Sequence, residues 1–175
     1  IDCQSGGMAF YFGSGETKDS VVENFTIKNG SADKGGAIYC DSSSPTITDC
    51  AFSGNSASVD GGAVYCDDSG PVLIDCAFND NSAGNGGAVS CRNSSSPTLT
   101  NCIFNGNTAS GSHAYGGAIY CWNSSSPTVT NCTFSGNSTD QFGGAIYCCV
   151  GSSPSITDCT FSDNSTDQSG GAIYC

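Results

Sequence analysis

Cysteine is the residue type most able to do chemistry in this sequence: 13 of 175 positions carry it. Eleven of them fall into two series. Column A is Cys40, Cys66, Cys91, Cys121, Cys148 and Cys175; column B is Cys50, Cys76, Cys102, Cys132 and Cys159. Each column B cysteine follows its column A cysteine by 10 or 11 residues. This density implies an oxidising compartment, hence a secreted or cell-surface chain, because the cytosol keeps thiols reduced. Zinc is disfavoured: no Cys-x-x-Cys pair occurs and His113 is the only histidine. Two pairings are open, one along each column and one from A to B within a repeat. In the first repeat Tyr11 or Phe12 stands where column A would be, and Phe25 at column B, so both columns are lost together. That favours Cys40–Cys50, Cys66–Cys76, Cys91–Cys102, Cys121–Cys132 and Cys148–Cys159, each worth about 2–3 kcal/mol. Alternation sends Cys149 outward, free or bonded to another molecule. Cys175 lacks a column B partner, while Asp2-Cys3 repeats the Asp/Asn-Cys signature of column B. The two leftovers predict a Cys3–Cys175 bond between subunits stacked head to tail, with a segment of a longer rod as the alternative.

Other chemistry is sparser. The basic side chains are Lys18, Lys28, Lys34 and Arg92, on different repeats or turns, and no carboxylate pair recurs beside one. No acid–base constellation is assembled, so no catalytic residues are expected. Asp49, Asp75 and Asp158 share one repeat position with Asn101 and Asn131. Stacked carboxylates repel unless amides interleave or a cation bridges them. The mixed column favours interleaving and leaves Ca2+ as the alternative; no other cofactor is implied. The longest turn, Thr108 to Tyr115, brings His113 and Tyr115 onto the same stretch as Trp122, a candidate ligand or contact surface. Tyr39, Tyr65, Tyr120, Tyr147 and Tyr174 read as a structural ladder first and a contact surface second. Thr46/Thr48, Thr98/Thr100, Thr128/Thr130 and Ser155/Thr157 form an outward Thr-x-Thr file, interrupted by Val72 and Ile74. Sequons at Asn24, Asn29, Asn93, Asn123, Asn131, Asn137 and Asn164 make glycans a candidate partner in a eukaryotic secretory pathway.

The scaffold that positions these groups must itself repeat. Gly-Gly pairs start at Gly6, Gly35, Gly61, Gly86, Gly116, Gly143 and Gly170, 25 to 30 residues apart. From Gly35 onward each leads into Ala-Ile/Val-Tyr/Ser-Cys, a turn with Pro, an alternating run such as Thr46 to Phe52, and a Gly/Asn/Ser turn. Period two in short runs means strands, and the repeat length holds three strands and three turns. One unit cannot bury its own apolar face, but stacked units can. The predicted fold is therefore all-β: a parallel β-helix (β-solenoid) of about 6–7 coils of roughly 26 residues, disulfide-rich, in a single domain. Residues 1–34 form an atypical N-terminal coil and 35–175 the regular repeats. Three columns should form the core: Ile38, Val64, Val89, Ile119, Ile146, Ile173; Ile27, Phe52, Phe78, Phe104, Phe134, Phe161; and Ile47, Leu73, Leu99, Val129, Ile156. Asn55, Asn81, Asn107, Asn137 and Asn164 stand at turn positions, should tolerate left-handed backbone and can stack as an amide ladder. The net charge of −12 excludes a nucleic-acid surface, and with no run of 18 apolar residues no membrane insertion is expected.

Gly-Gly-Ala-Ile and Phe-x-x-Asn in each repeat resemble the repeats of chlamydial polymorphic outer-membrane proteins, and more broadly right-handed β-helix proteins of the pectate-lyase-like superfamily. The resemblance covers Gly35 to Cys175 well and residues 1–34 loosely. It implies a right-handed coil and a surface adhesin or passenger role, although the fold also carries polysaccharide lyases and hydrolases. Lyase chemistry of that kind needs a basic side chain beside carboxylate-held calcium, and hydrolase chemistry needs clustered Asp with His and Arg or Lys; neither set is gathered here. The Thr file is similar to the flat face of some β-solenoid ice-binding proteins. The expectation is a non-catalytic extracellular structural or adhesive rod, with a carbohydrate- or ice-binding module as the alternative.

Overall fold

The computed structural model describes residues 1–175 and contains 25 strands and no helix. One regular coil consists of the strands Ile38–Asp41, Thr46–Thr48, Ala51–Ser53 and Ser56–Asp60. Each strand pairs in parallel with its counterpart one coil away, as in Cys40↔Cys66 and Phe52↔Phe78. Four parallel sheets result, with seven strands on the first face and six on each of the others. The chain is thus a β-solenoid, as expected, but with four strands per coil rather than three. The fourth strand shrinks to two residues in later coils, for example Ser82–Ala83 and Thr108–Ala109. Two small polar or apolar residues carry no readable period, which is why the sequence pattern hides this face.

The inward columns form as the alternation demands. Ile38, Val64, Val89, Ile119, Ile47, Leu73, Leu99 and Val129 are buried without residual exposure. Val22 joins the third column from the first coil, paired with Ile47. Phe52, Phe78, Phe104, Phe134 and Phe161 stack with centroids 4.7 to 4.9 Å apart and nearly parallel planes. That distance matches the strand spacing, so ring stacking and backbone pairing are satisfied together. Residues 1–34 also enter the register: Phe12 pairs with Cys40, which puts it at the column A position, and Phe25 precedes the Thr26↔Ala51 pair, at the column B position.

The asparagine ladder forms inside the coil. Asn81 Nδ2 donates to Asn107 Oδ1 at 3.0 Å, and Asn107 Nδ2 donates to Asn137 Oδ1 at 2.9 Å and to the Phe78 carbonyl at 3.0 Å. These residues do not themselves use the left-handed backbone that they would tolerate. The positive φ angles fall one residue earlier, at Asn29, Gly54, Asp80, Gly106, Gly136 and Asp163, and at Asn24, Asp49, Asp75, Asn101, Asn131 and Asp158 before column B. A left-handed residue turns the chain and lets the next side chain point inward, so the ladder residue itself stays right of the turn. The paired glycines have distinct reasons. Gly61 has φ +65°, and a Cβ on Gly62 would lie 2.1 Å from the Gly87 carbonyl oxygen of the next coil.

The register displaces Cys3 from its expected place. Asp2 bridges Lys28, and Lys28 pairs with Ser53, so Cys3 lies level with Asn29, four positions beyond column B. Cys175 does stand in column A, since Tyr174 pairs with Tyr147. The two cysteines occupy different corners of the coil cross-section, and in-register stacking of copies does not bring them together. The complementarity expected of Cys3 and Cys175 is therefore not present.

The ladder gives a stability test. Asn107→Ala leaves the Asn81 N–H without its acceptor and removes one partner each from the Phe78 carbonyl, Asn81 Nδ2 and Asn137 Oδ1 in the interior, and should cost about 2–4 kcal/mol. Asn105→Ala, on the outer side of the neighbouring strand, should stay within about 0.5 kcal/mol. Urea midpoints at unchanged m-value check both.

Candidate functional site

The cysteine columns lie inside the coil. Cys40, Cys66, Cys91, Cys102 and Cys121 have no exposed surface, and all thirteen cysteines are thiols. The within-coil bonds expected from the sequence, Cys40–Cys50, Cys66–Cys76, Cys91–Cys102, Cys121–Cys132 and Cys148–Cys159, are not formed. The strand Thr46–Thr48 and its flanking turns separate the two columns, which end different faces. The sulfur contacts run along each column instead. Hydrogen bonds to Cys40 and Cys91, with burial, push the Cys66 thiol well up; Cys121 is raised likewise by Cys148 and Cys91. Cys91, receiving hydrogen bonds from Cys121 and Cys66, is lowered. In column B, Cys102 is raised by its hydrogen bonds to Cys132 and Cys76, and those two are lowered in turn. Burial, then the contact with Cys148, pushes Cys175 up to about 12. A file of stacked thiols cannot ionise together, so neighbours share protons.

The first face carries the outward aromatics. Tyr120, Tyr147 and Tyr174 stack in sequence at 5.7 and 5.4 Å, with planes within 11° of each other. Tyr115 lies 4.7 Å from Tyr147 and 6.2 Å from Tyr120, and Trp122 lies 6.2 Å from Tyr120. Tyr115 and Trp122 thus belong to one patch, as their spacing suggested. His113 stands apart at the exposed tip of the long turn, where its Nδ1 meets Ser112 Oγ at 3.1 Å. The rings turn their faces toward one another, leaving edges outward, so the patch offers little face area for a sugar ring.

Ser90 interrupts the file, pairing with Tyr65 on one side and Tyr120 on the other. The guanidinium of Arg92 covers that gap, 5.0 Å from the Tyr120 ring centre and 5.9 Å from that of Trp122. Its Nη2 donates to Asp60 Oδ1 at 2.9 Å, and its Nε lies 2.9 Å from Asp60 Oδ2. Burial pulls the Arg92 pKa down, but the hydrogen bond and charge of Asp60 outweigh it and the net shift is upward. Asp60 has 1% exposure and also accepts from Asn85 Nδ2 at 3.1 Å. Ser90 Oγ is buried with no partner. Sequence reasoning missed this cluster, although a Ser in a Tyr file followed two positions later by the sole Arg was the signal.

The polar column interleaves amides with carboxylates above Asp75. Asn101 Nδ2 donates to Asp75 Oδ1 at 2.9 Å, and Asn131 Nδ2 to Asn101 Oδ1 at 2.8 Å. Asp49 and Asp75 stand at the same position on adjacent coils with no amide between them, whereas Asn101 and Asn131 separate Asp75 from Asp158. The Thr file lies on the second face, where Val72 and Ile74 pair with Thr46/Thr48 below and Thr98/Thr100 above. The two surface grooves are shallow and lined by no basic residue. Of the sequons, Asn137 is fully buried, and Asn164 also gives its amide to the ladder. Neither can carry a glycan in the folded coil. Asn24, Asn29, Asn93, Asn123 and Asn131 are exposed.

Residues 2–118 and 36–175 each match the right-handed β-helix region family. The chain belongs to that family. No curated protein and no solved structure matches it. Membership agrees with the parallel coil and its inward columns, and this right-handed β-helix protein shares its fold with enzymes and non-enzymes alike.

Two expectations follow. Arg92→Ala leaves the Asp60 carboxylate buried without its cation and should cost about 2–3 kcal/mol, less than for a wholly buried pair because Arg92 is partly exposed. Arg92→Lys should recover only part of this, since an ammonium cannot bridge both oxygens; thermal or urea unfolding reads both. In material secreted from a glycosylating host, peptide mass mapping should find Asn137 and Asn164 unmodified in every folded molecule.

Proposed function

We propose that this chain is a non-catalytic extracellular rod segment with a structural or adhesive role, presenting its flat lateral faces to partners. The observation that carries this reading is the unbroken interior: the Phe stack, the Asn ladder and the aliphatic columns run from coil to coil without an opening. Such a solenoid gains stability from each neighbour contact and resists bending along its axis. Three of the four basic side chains are engaged locally. Lys28 pairs with Asp2 at 3.3 Å, Arg92 with Asp60, and Lys34 lies 4.9 Å from the Tyr65 ring centre. The base that an acidic-polysaccharide lyase would need is thus not presented over a cleft. Cysteine density supports an oxidising location, and the likeness of the repeats to those of surface proteins supports the adhesive role. Coils added in register above the last one, from this chain or another, would extend its columns.

Antibodies against the folded chain should label unpermeabilised source cells or their surroundings, and scattering in solution should give an elongated particle. Labelling only after permeabilisation would sink the extracellular assignment. Turnover of an acidic polysaccharide by the purified chain would sink the non-catalytic one.

A further inference from the structure

The two thiol files have defined lower ends. Phe12 occupies column A beneath Cys40, and Phe25 occupies column B beneath Cys50. Cys40 therefore has one cysteine neighbour along its column, Cys66, and Cys50 has one, Cys76. Neighbouring members stand on adjacent parallel strands in register, Cys40↔Cys66↔Cys91↔Cys121↔Cys148. Parallel neighbours lie about 4.8 Å apart at Cα, inside the roughly 4.4–6.8 Å range of disulfides. Both side chains are buried in the same interior column, Cys40, Cys66, Cys91 and Cys121 without residual exposure, and the proton affinities of the Cys66 and Cys91 thiols are shifted by their column neighbours.

We propose that the columns are oxidation sites that join successive coils, with Cys40–Cys66 and Cys50–Cys76 as the anchoring bonds. Because each thiol pairs once, the pattern then propagates as Cys91–Cys121 and Cys148–Cys175 in column A and Cys102–Cys132 in column B. Within residues 1–175 this leaves Cys159, Cys3 and Cys149 outside the paired set. The oxidant is a small-molecule disulfide such as glutathione disulfide. One cysteine thiolate attacks it, forming a mixed disulfide and releasing one glutathione thiolate. The neighbouring cysteine then attacks the protein sulfur and releases the second. Two thiol protons and two electrons leave the protein, and two glutathione molecules are formed. The exchange takes place before the next coil closes over the column, since the finished interior excludes the reagent. The proposal holds for the chain whatever its biological role, so it stands or falls separately from the rod assignment.

The test is refolding of the full chain in a glutathione redox buffer, followed by thiol blocking and non-reducing peptide mapping. The expected products are Cys40–Cys66 and Cys50–Cys76 peptides, with Cys159 alkylated. Cys66→Ala should release Cys40 as a blocked thiol while leaving Cys50–Cys76 intact; bonding within a coil would instead release Cys76. A Cys40–Cys50 peptide, or full alkylation of all thirteen cysteines in refolded wild type, would overturn the proposal. The wild-type map decides the matter even if the variant fails to fold.

Discussion

Each coil lies on its neighbour in parallel register, so the nearest partner of almost every side chain is its own counterpart about 4.8 Å away. The residue type at each position must therefore tolerate itself. Aliphatic columns do so by contact, and phenyl rings by stacking at 4.7 to 4.9 Å. Primary amides do so because each is both donor and acceptor, which lets Asn55, Asn81, Asn107 and Asn137 pass hydrogen bonds upward inside a dry core. Carboxylates repel their own kind, and above Asp75 the column continues with Asn101 and Asn131. Asp67, which pairs with Asp41 below and Arg92 above, also accepts from Asn93 Nδ2 at 2.6 Å, and Asn93 accepts from Asn123. The relief is partial in a chain of net charge −12: Asp41 pairs with Asp67, and Asp49 stands level with Asp75, with no amide between either pair.

The same rule explains what could be read in advance. Comparing equivalent positions from repeat to repeat exposes every column directly, so the core, the amide ladder and the interleaved Asp/Asn column were legible. The register of the glycine pair was legible too. What escaped was information that does not repeat or has no period. The fourth strand is two residues long in most coils and shows no alternation. The left-handed residue precedes the ladder Asn, a distinction of one position that composition alone cannot assign, because Asn favours either place. Cys3 sits where local Asp-Cys identity suggested column B, but pairing of Asp2 with Lys28 sets its height by register instead.

Departures from repetition are where individual chemistry appears. Ser90 removes one ring from the tyrosine file, and the planar Arg92 guanidinium takes the vacated place, held by a carboxylate with 1% exposure. A guanidinium suits that position because it stacks on a ring with its faces and hydrogen-bonds along its edges. The cost is an unpartnered Ser90 hydroxyl. By contrast, the rings above this site use their faces on one another, while Tyr39 and Tyr65 below it meet edge to face, which makes the patch a stiffener of the first face before it is a contact surface.

The direction of any disulfide bears on how such a rod responds to unfolding. A solenoid's stability is close to a sum of coil terms and nearest-neighbour terms, so an end coil can fray while the rest persists. A bond within one coil encloses 10 residues between Cys40 and Cys50. A bond between coils encloses 26 residues between Cys40 and Cys66. Loop-closure entropy assigns roughly 2.7 kcal/mol to the first and roughly 3.5 kcal/mol to the second. The larger difference lies in what is coupled. The short loop restrains a coil that can still detach from its neighbour. The long loop forbids that detachment, because the covalent link lies across the same interface that the Phe, Asn and aliphatic columns build. Thiols placed in register at the interior of a parallel stack are therefore positioned to act on the neighbour term, the one that gives a repeat rod its cooperativity.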